Sequence, residues 1–320
     1  MFARSSTSGR RLALALVTPL LLTALAACGG DDGGNAQSGA GIDSLKVEGD
    51  VGSEPKVTWD GQVSVSKIES DTLIEGDGAE LGDGDQVLAH IWIGNGFTQK
   101  EAFNTYKDKK PELLTDDKSQ LSKMFLAAID GHTIGSRVLV AAPADDAFGE
   151  GGNPQLGIAN KDTVVMVVDL SSGVLDAPAG TAKDSPAWAP KIVDKDDVPE
   201  KLDFTGTPEP ASYLRVGTLV AGQGAKVEKG QTIVVDYLGQ VYGNDKGPFD
   251  ASFSTEPASF QIGTGNVIKG WDQALVGKAV GSRLVLSIPP DLGYGKKGNK
   301  DAGIKGTDTL CFVVDILAAG

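Results

Sequence analysis

In the C-terminal third of the chain, apolar residues come in short runs rich in β-branched and aromatic side chains, separated by Gly- and Pro-rich breaks. "YLRVGTLV" (213–220), "QTIVVDYLGQVY" (231–242), "SRLVLSI" (282–288) and "TLCFVVDIL" (309–317) each predict a strand. One stretch, "VIKGWDQALVG", breaks the pattern. Ile268, Trp271 and Leu275 recur at helical spacing and share one face of a short helix, and Gly277 suits its C-terminal end. Antiparallel strands that bury one face against a single short helix form an α+β unit.

The pattern occurs twice. "IGSRVLVAAPADDAFG" (134–149) returns as "VGSRLVLSIPPDLGYG" (280–295), and residues 67–170 align with 213–316 without a gap. About one position in four is identical, against roughly one in fourteen expected by chance. Gly76 matches Gly222, Gly84 matches Gly230, Phe103 matches Phe249, Gly131 matches Gly277 and Asp169 matches Asp315. Two long copies predict two cores rather than a solenoid. Between them, residues 173–205 are rich in Pro, Asp and Ala and read as an extended interdomain linker.

Residues 1–27 read as a secretory signal. Arg4, Arg10 and Arg11 precede the apolar "LALALVTPLLLTALAA", which is shorter than the ~20 residues of a spanning helix. "LAAC" (25–28) resembles a bacterial lipobox, which makes Cys28 the expected lipidation site and residues 28–44 a flexible tether. The expected domains are then 45–172 and 206–320. The expected location is the outer face of the bacterial cytoplasmic membrane, held by the lipid anchor alone. The formal charge of −14 excludes the basic face that nucleic acid requires. Cys311, inside an apolar run, reads as a buried inert thiol.

Familiar catalytic signals are missing. The two histidines, His90 and His132, both lie in the first copy, and a zinc site would lack ligands. "SVSK" (64–67) sits in a strand-like run, "GTGNVIKG" has the wrong glycine spacing for a dinucleotide, and "EGDGAELGDGD" (75–85) reads as turns rather than a calcium loop. No metal and no cofactor are expected. What remains is an aromatic set in the second copy: Tyr237, Phe249, Phe260, Trp271, Tyr294 and Phe312. The gapless alignment puts Ile91, Phe103, Leu114, Phe125, Phe148 and Met166 at those positions in the first copy. Buried Trp and Tyr need polar partners, so a fold that manages with simple hydrophobes at these positions in one copy uses Trp and Tyr there for a pocket in the other.

"VVDYLG", "PFDAS", "VIKGWDQALVGKAVGSR", "IPPDLGYG" and "TLCFVVDIL" closely resemble the FKBP-type peptidyl-prolyl cis/trans isomerases, over all of 206–320. The resemblance implies two FKBP-like domains, each an antiparallel β half-barrel around one short helix, the first of them degenerate. It implies that Tyr237, Phe249, Phe260, Val267, Trp271, Ile304 and Phe312 bind the proline, and that the Ile268 N–H and the Tyr294 hydroxyl hold substrate carbonyls. Asp250 is either the turn residue after Phe249 or a carboxylate that orients the twisted carbonyl. In the first copy Asn104 matches Asp250 and Ser122 matches Ile268. The segment 296–308 departs from the family, and Ala258 stands where an aromatic is common. The implied partners are X-Pro segments of exported polypeptides and the macrolide ligands of the family. Two other readings stay open: a proline-binding chaperone that does not turn over, and a surface interaction protein using the acidic first copy.

Overall fold

A computed structural model describes residues 40–320. The signal segment, Cys28 and most of the expected tether lie outside the described residues. The last residues of that tether are ordered: Ala40 bridges to Val63, and Ile42–Ser44 forms a 3-10 turn.

The second copy forms a seven-stranded sheet, antiparallel in every ladder. Its main strands, Arg215–Gly222, Thr232–Val241, Arg283–Ile288 and Leu310–Ala319, fall on the four predicted runs. Alternation along Thr232–Val241 sends Ile233, Val235, Tyr237 and Val241 to the inner face, while Leu238 joins the cluster on the outer one. The helix Lys269–Leu275 lays Trp271, Ala274 and Leu275 onto the inner face. Burying a side chain of that size is worth about 1.5–3 kcal/mol, so this one short helix closes much of the core.

The first copy forms a six-stranded sheet over Glu69–Ile74, Gln86–Asn95, Lys100–Asn104, Glu112–Thr115, Arg137–Pro143 and Thr163–Gly173. Helix Lys123–Ile129 covers it with Met124, Phe125, Ala128 and Ile129. A second short helix, Ala144–Phe148, stands where the other copy has only the 3-10 turn Pro290–Leu292. Gly293 takes the place of Ala147 there and stops the helix from extending. Each sheet has its own inner core, and a small cluster of Leu88, Val234 and Ala318 joins them.

The expected linker 173–205 is not a free tether. Gly180–Ala182 adds an edge strand to the second sheet, pairing with Val220–Gly222. Lys191–Lys195 and Val198–Asp203 then form a hairpin turned by Asp196 and Asp197, both at positive φ, as the favoured two-residue hairpin turn demands. Its apolar residues Ile192 and Leu202, with Phe204, pack on the outer face of the second sheet against Leu238, Cys311 and Val313. The Gln240 amide bonds both backbone groups of Leu202. The first sheet is covered in the same way by the hairpin Leu45–Glu48 and Lys56–Trp59, whose Leu45, Val47, Val57 and Trp59 pack on Trp92, Leu139, Val165 and Val167. Composition suggested a linker because the apolar residues of such a hairpin are few and widely spaced.

Strand register also corrects the gapless alignment. The Thr105 hydroxyl accepts from the Ile91 N–H, and the Ser252 hydroxyl accepts from the Tyr237 N–H. These pairs are separated by 14 and 15 residues, so Thr105 corresponds to Ser252, one position off the sequence alignment. Opposite Ile93 stands Phe103, whereas opposite Gly239 stands Asp250. Asn104 is therefore not the counterpart of Asp250, nor Phe103 of Phe249. The original alignment resumes where Leu114 pairs with Val87 and Phe260 with Ile233.

Candidate active site

Trp271 is presented by the first turn of the helix and is only 4% exposed. Tyr237, Phe260 and Phe312 surround its ring edge-to-face, each with centroids 5.4 Å away. Phe249 stands edge-on to Phe312 at 5.7 Å. Tyr237, Phe249 and Phe260 are only partly buried, so the aromatic group opens on one side. Edge-to-face pairs at these distances contribute about 0.5–1.5 kcal/mol each beyond burial, which makes the group stiff. The Trp271 indole N–H is buried and has no acceptor among the described residues.

The Tyr237 hydroxyl donates to Asp250 Oδ2 at 2.6 Å. Asp250 lies on the exposed short strand Asp250–Ala251, opposite Gly239, and Phe249 N–H donates to the Gly239 carbonyl. These two backbone pairings aim Phe249 inward and Asp250 at the rim. Ser252 fixes the other side of Tyr237, accepting from its N–H at 3.0 Å and donating to Asp236 Oδ1 at 2.9 Å. Ser252 was not singled out from the sequence because nothing local distinguishes it from a turn serine.

Val267 and Ile268 pack at the helix entry. Ile268 is the N-cap with extended backbone (φ −60°, ψ 145°), and its N–H makes no backbone hydrogen bond among the described residues. Ile304 is buried in the same core and held by reciprocal backbone bonds with Asn299. Tyr294 is 39% exposed and forms no ring pair with the aromatic group among the described residues. Of the proposed proline-binding residues, Tyr237, Phe260 and Phe312 surround Trp271, Phe249 stands against Phe312, and Val267 and Ile304 belong to the same core. Cys311 sits on the outer face, where burial pushes its thiol up to about 12, as an inert thiol requires.

On the first sheet the residues matching Tyr237, Phe260, Trp271 and Phe312 are all buried. Ile91, Leu114, Phe125 and Met166 pack in one core with Ile93. Ser122 caps the helix entry with its hydroxyl buried and without a partner among the described residues. The sequence missed two glycines. A Cβ on Gly239 would lie 2.5 Å from Phe312 and 2.7 Å from Phe249, and one on Gly270 would lie 2.5 Å from Ile288. The first sheet has Ile93 and Met124 at those places, and it balances Met124 with Ala142 where the second sheet has Ile288. A glycine interrupting an apolar run was the available signal.

The sequence profile of the FKBP-type peptidyl-prolyl cis-trans isomerases matches residues 223–317. An FK506-binding protein of Streptomyces anulatus is 40% identical over 119 residues, covering 37% of this chain and 94% of that protein. The peptidyl-prolyl cis-trans isomerase FKBP15-2 of Arabidopsis thaliana is 41% identical over 110 residues, 33% of this chain and 66% of its own length. The crystal structure of AtFKBP13 is similar at 34% identity over 33% of this chain and 93% of its own, with a TM-score of 0.30. With the aromatic group inside the matched residues, and a relative covered over nearly its whole length, the chain belongs to the FKBP-type peptidyl-prolyl cis-trans isomerase family.

Proposed function

We propose that residues 206–320 catalyse cis/trans isomerisation of X-Pro bonds in exported polypeptides, and that the first copy is a degenerate FKBP-like domain. The observation that carries this reading is the aromatic group on Trp271, open on one side and rimmed by the Tyr237–Asp250 pair. Rotation about an X-Pro bond faces a barrier of about 20 kcal/mol, and unaided it takes tens to hundreds of seconds. No covalent bond is made or broken, so neither a nucleophile nor a metal is required. Twisting the amide removes its resonance and lowers its polarity. An apolar cleft therefore favours the twisted amide over the planar one. Trp271 forms the floor under the pyrrolidine ring, and Tyr237, Phe249 and Phe312 form walls. The Ile268 N–H is available to a substrate carbonyl. Asp250, fixed by Tyr237, lies where it orients the carbonyl of the twisting bond. Tyr294 reaches substrate only from the exposed rim. The FK506 named in the relatives supports macrolide binding in the same cleft.

Export and anchoring rest on the signal-like N-terminus and Cys28. One acyl chain binds a membrane marginally, while two give stable anchoring. Replacing Cys28 by Ala should leave the chain unprocessed or release it from the membrane fraction.

The central test is a protease-coupled assay of the full chain on an X-Pro-Phe peptide. Acceleration is expected, and it should be lost on Trp271→Leu. Proline-ligand binding without acceleration would replace this reading with a non-catalytic chaperone. Equal activity in Trp271→Leu and the parent would refute the site.

A further inference from the structure

Gly239 occupies the middle of a buried strand, where glycine costs about 0.5–1 kcal/mol relative to alanine. Such a position calls for a reason, and close approach of another group is the usual one. Here the approaching groups are two rings. A Cβ on Gly239 would meet Phe312 Cε1 at 2.5 Å and Phe249 Cζ and Cε2 at 2.7 and 2.9 Å. Phe312 is also the cross-strand partner of Gly239, and Asp250 is its partner on the other side. The missing side chain therefore lies behind two walls of the cleft and beside its rim carboxylate.

The first sheet shows the alternative occupant. Ile93 holds the same register position, opposite Met166 where Gly239 faces Phe312. Ile93 is fully buried in the inner core. The same strand thus folds with a large side chain at this point, so neither strand formation nor the sheet itself demands glycine.

We infer that Gly239 is a specificity-determining residue: its bare Cα admits the ring edges of Phe249 and Phe312 in the positions they hold as cleft walls, and so sets the size of imino-acid ring the cleft admits. The inference rests on the proposed isomerase reading of this site. A methyl group at 239 would force the ends of both rings to shift, and both rings are cleft walls. The larger of two cyclic imino acids then suffers more.

The test compares a proline amide with the otherwise identical pipecolate amide, which has a six-membered ring. Affinities are measured by calorimetry on the full chain, alongside kcat/KM on an X-Pro-Phe peptide. Gly239→Ala should keep a cooperative thermal transition and lower kcat/KM about tenfold, the effect of one extra methylene-sized group in a pocket. The pipecolate-to-proline affinity ratio should fall by about the same factor again. Combining Gly239→Ala with Phe249→Leu removes the ring atoms that the new methyl meets. This double variant should move the ratio back toward the parent value, and it serves as the test if Gly239→Ala alone does not fold. A folded Gly239→Ala with unchanged ratio, or with both amides weakened equally, overturns the inference while leaving the isomerase reading intact. A double variant that folds and shows no recovery of the ratio overturns it too. A parent chain that neither isomerises the peptide nor binds either amide overturns both.

Discussion

The two sheets carry one ion pair in two settings. Arg137 and Asp169 sit opposite each other on the first sheet, and Arg283 and Asp315 on the second. On the first sheet the pair is sealed, with side chains 1% and 0% exposed. The loop of the N-terminal hairpin closes over it: Gly49, Asp50 and Ser53 carbonyls accept from Arg137, and the Gly52 N–H donates to Asp169. On the second sheet the arginine is 24% exposed and leans on the Phe253 ring. The inner faces differ in the opposite sense. There the first sheet is filled by Ile91, Ile93, Phe125 and Met166, and the second is lined with Tyr237, Trp271 and Phe312, with Gly239 making room for the rings of Phe249 and Phe312. Common to both are the features that hold a sheet to a helix and a hairpin. The side chains around Trp271 and their counterparts are not shared. This is how a duplicated scaffold would look if one copy served structure and the other chemistry.

The largest effect should come from breaking the sealed pair. Asp169→Ala leaves Arg137 buried and without its carboxylate, a loss of about 3–5 kcal/mol. Asp315→Ala should cost less, about 2 kcal/mol, because Arg283 reaches water. Hydrogen exchange resolved along the chain would separate the two sheets. Equal losses in both would contradict the role given to the N-terminal hairpin.

Next in size is the floor of the cleft. Trp271→Leu keeps an apolar residue in the core, so the fold should survive, while kcat/KM should fall about a hundredfold, or ~2.7 kcal/mol. The reciprocal Phe125→Trp should give the first sheet no activity, because Ile93 and Met124 stay buried in its core where the second sheet has glycines. Activity from a chain carrying both Trp271→Leu and Phe125→Trp would abolish the distinction drawn between the sheets.

Much of this was legible in the sequence. Runs of β-branched and aromatic residues between Gly- and Pro-rich breaks located the four main strands of the second sheet, and the spacing of Ile268, Trp271 and Leu275 located its helix to within a residue or two. The aromatic group was found because Tyr237, Trp271 and Tyr294 align with Ile91, Phe125 and Phe148 of the first copy. Three things were not legible, each for a physical reason. The hairpin Lys191–Asp203 hides in polar sequence because only Ile192 and Leu202 face the sheet firmly. The one-residue slip near Asp250 leaves no trace in a gapless alignment, because backbone pairing sets it and the original alignment resumes on the next strand. Gly239 was passed over because glycine has no side chain to suggest a role, and its importance lies in the ring edges it lets approach.

The slip sharpens the next prediction. Asp250 has no carboxamide counterpart in the first sheet, where Phe103 takes its register position. Asp250→Asn is nevertheless the least disruptive probe of its charge, since it retains an oxygen to accept from Tyr237. If the carboxylate acts on the twisting carbonyl, kcat/KM should drop about tenfold while proline-amide affinity stays within about twofold. If Asp250 only ends the turn after Phe249, neither quantity should change.

The smallest effect concerns a carboxylate in the wrong surroundings. Asp116 occupies the position that Ile262 holds in the core of the second sheet. It is buried, and neither carboxyl oxygen has a partner among the described residues. Burial, and after it the nearby charge of Asp130, holds its carboxyl above the ordinary aspartate value of 3.8. The folded chain therefore keeps this proton to a higher pH than the unfolded chain does. Its stabilising effect is complete below 3.8 and is lost as pH rises through the folded-state value. At neutral pH the group opposes folding of the first sheet. Asp116→Asn cannot ionise, so it should be stabilised relative to the parent at neutral pH and not near pH 3, with the gain developing as pH rises from 3.8 through the folded-state value. Urea unfolding across this pH range measures the difference. A parent and variant that run parallel would mean that Asp116 is solvated in the folded chain. If the first sheet serves structure alone, a stabilised Asp116→Asn should leave kcat/KM on the X-Pro peptide unchanged.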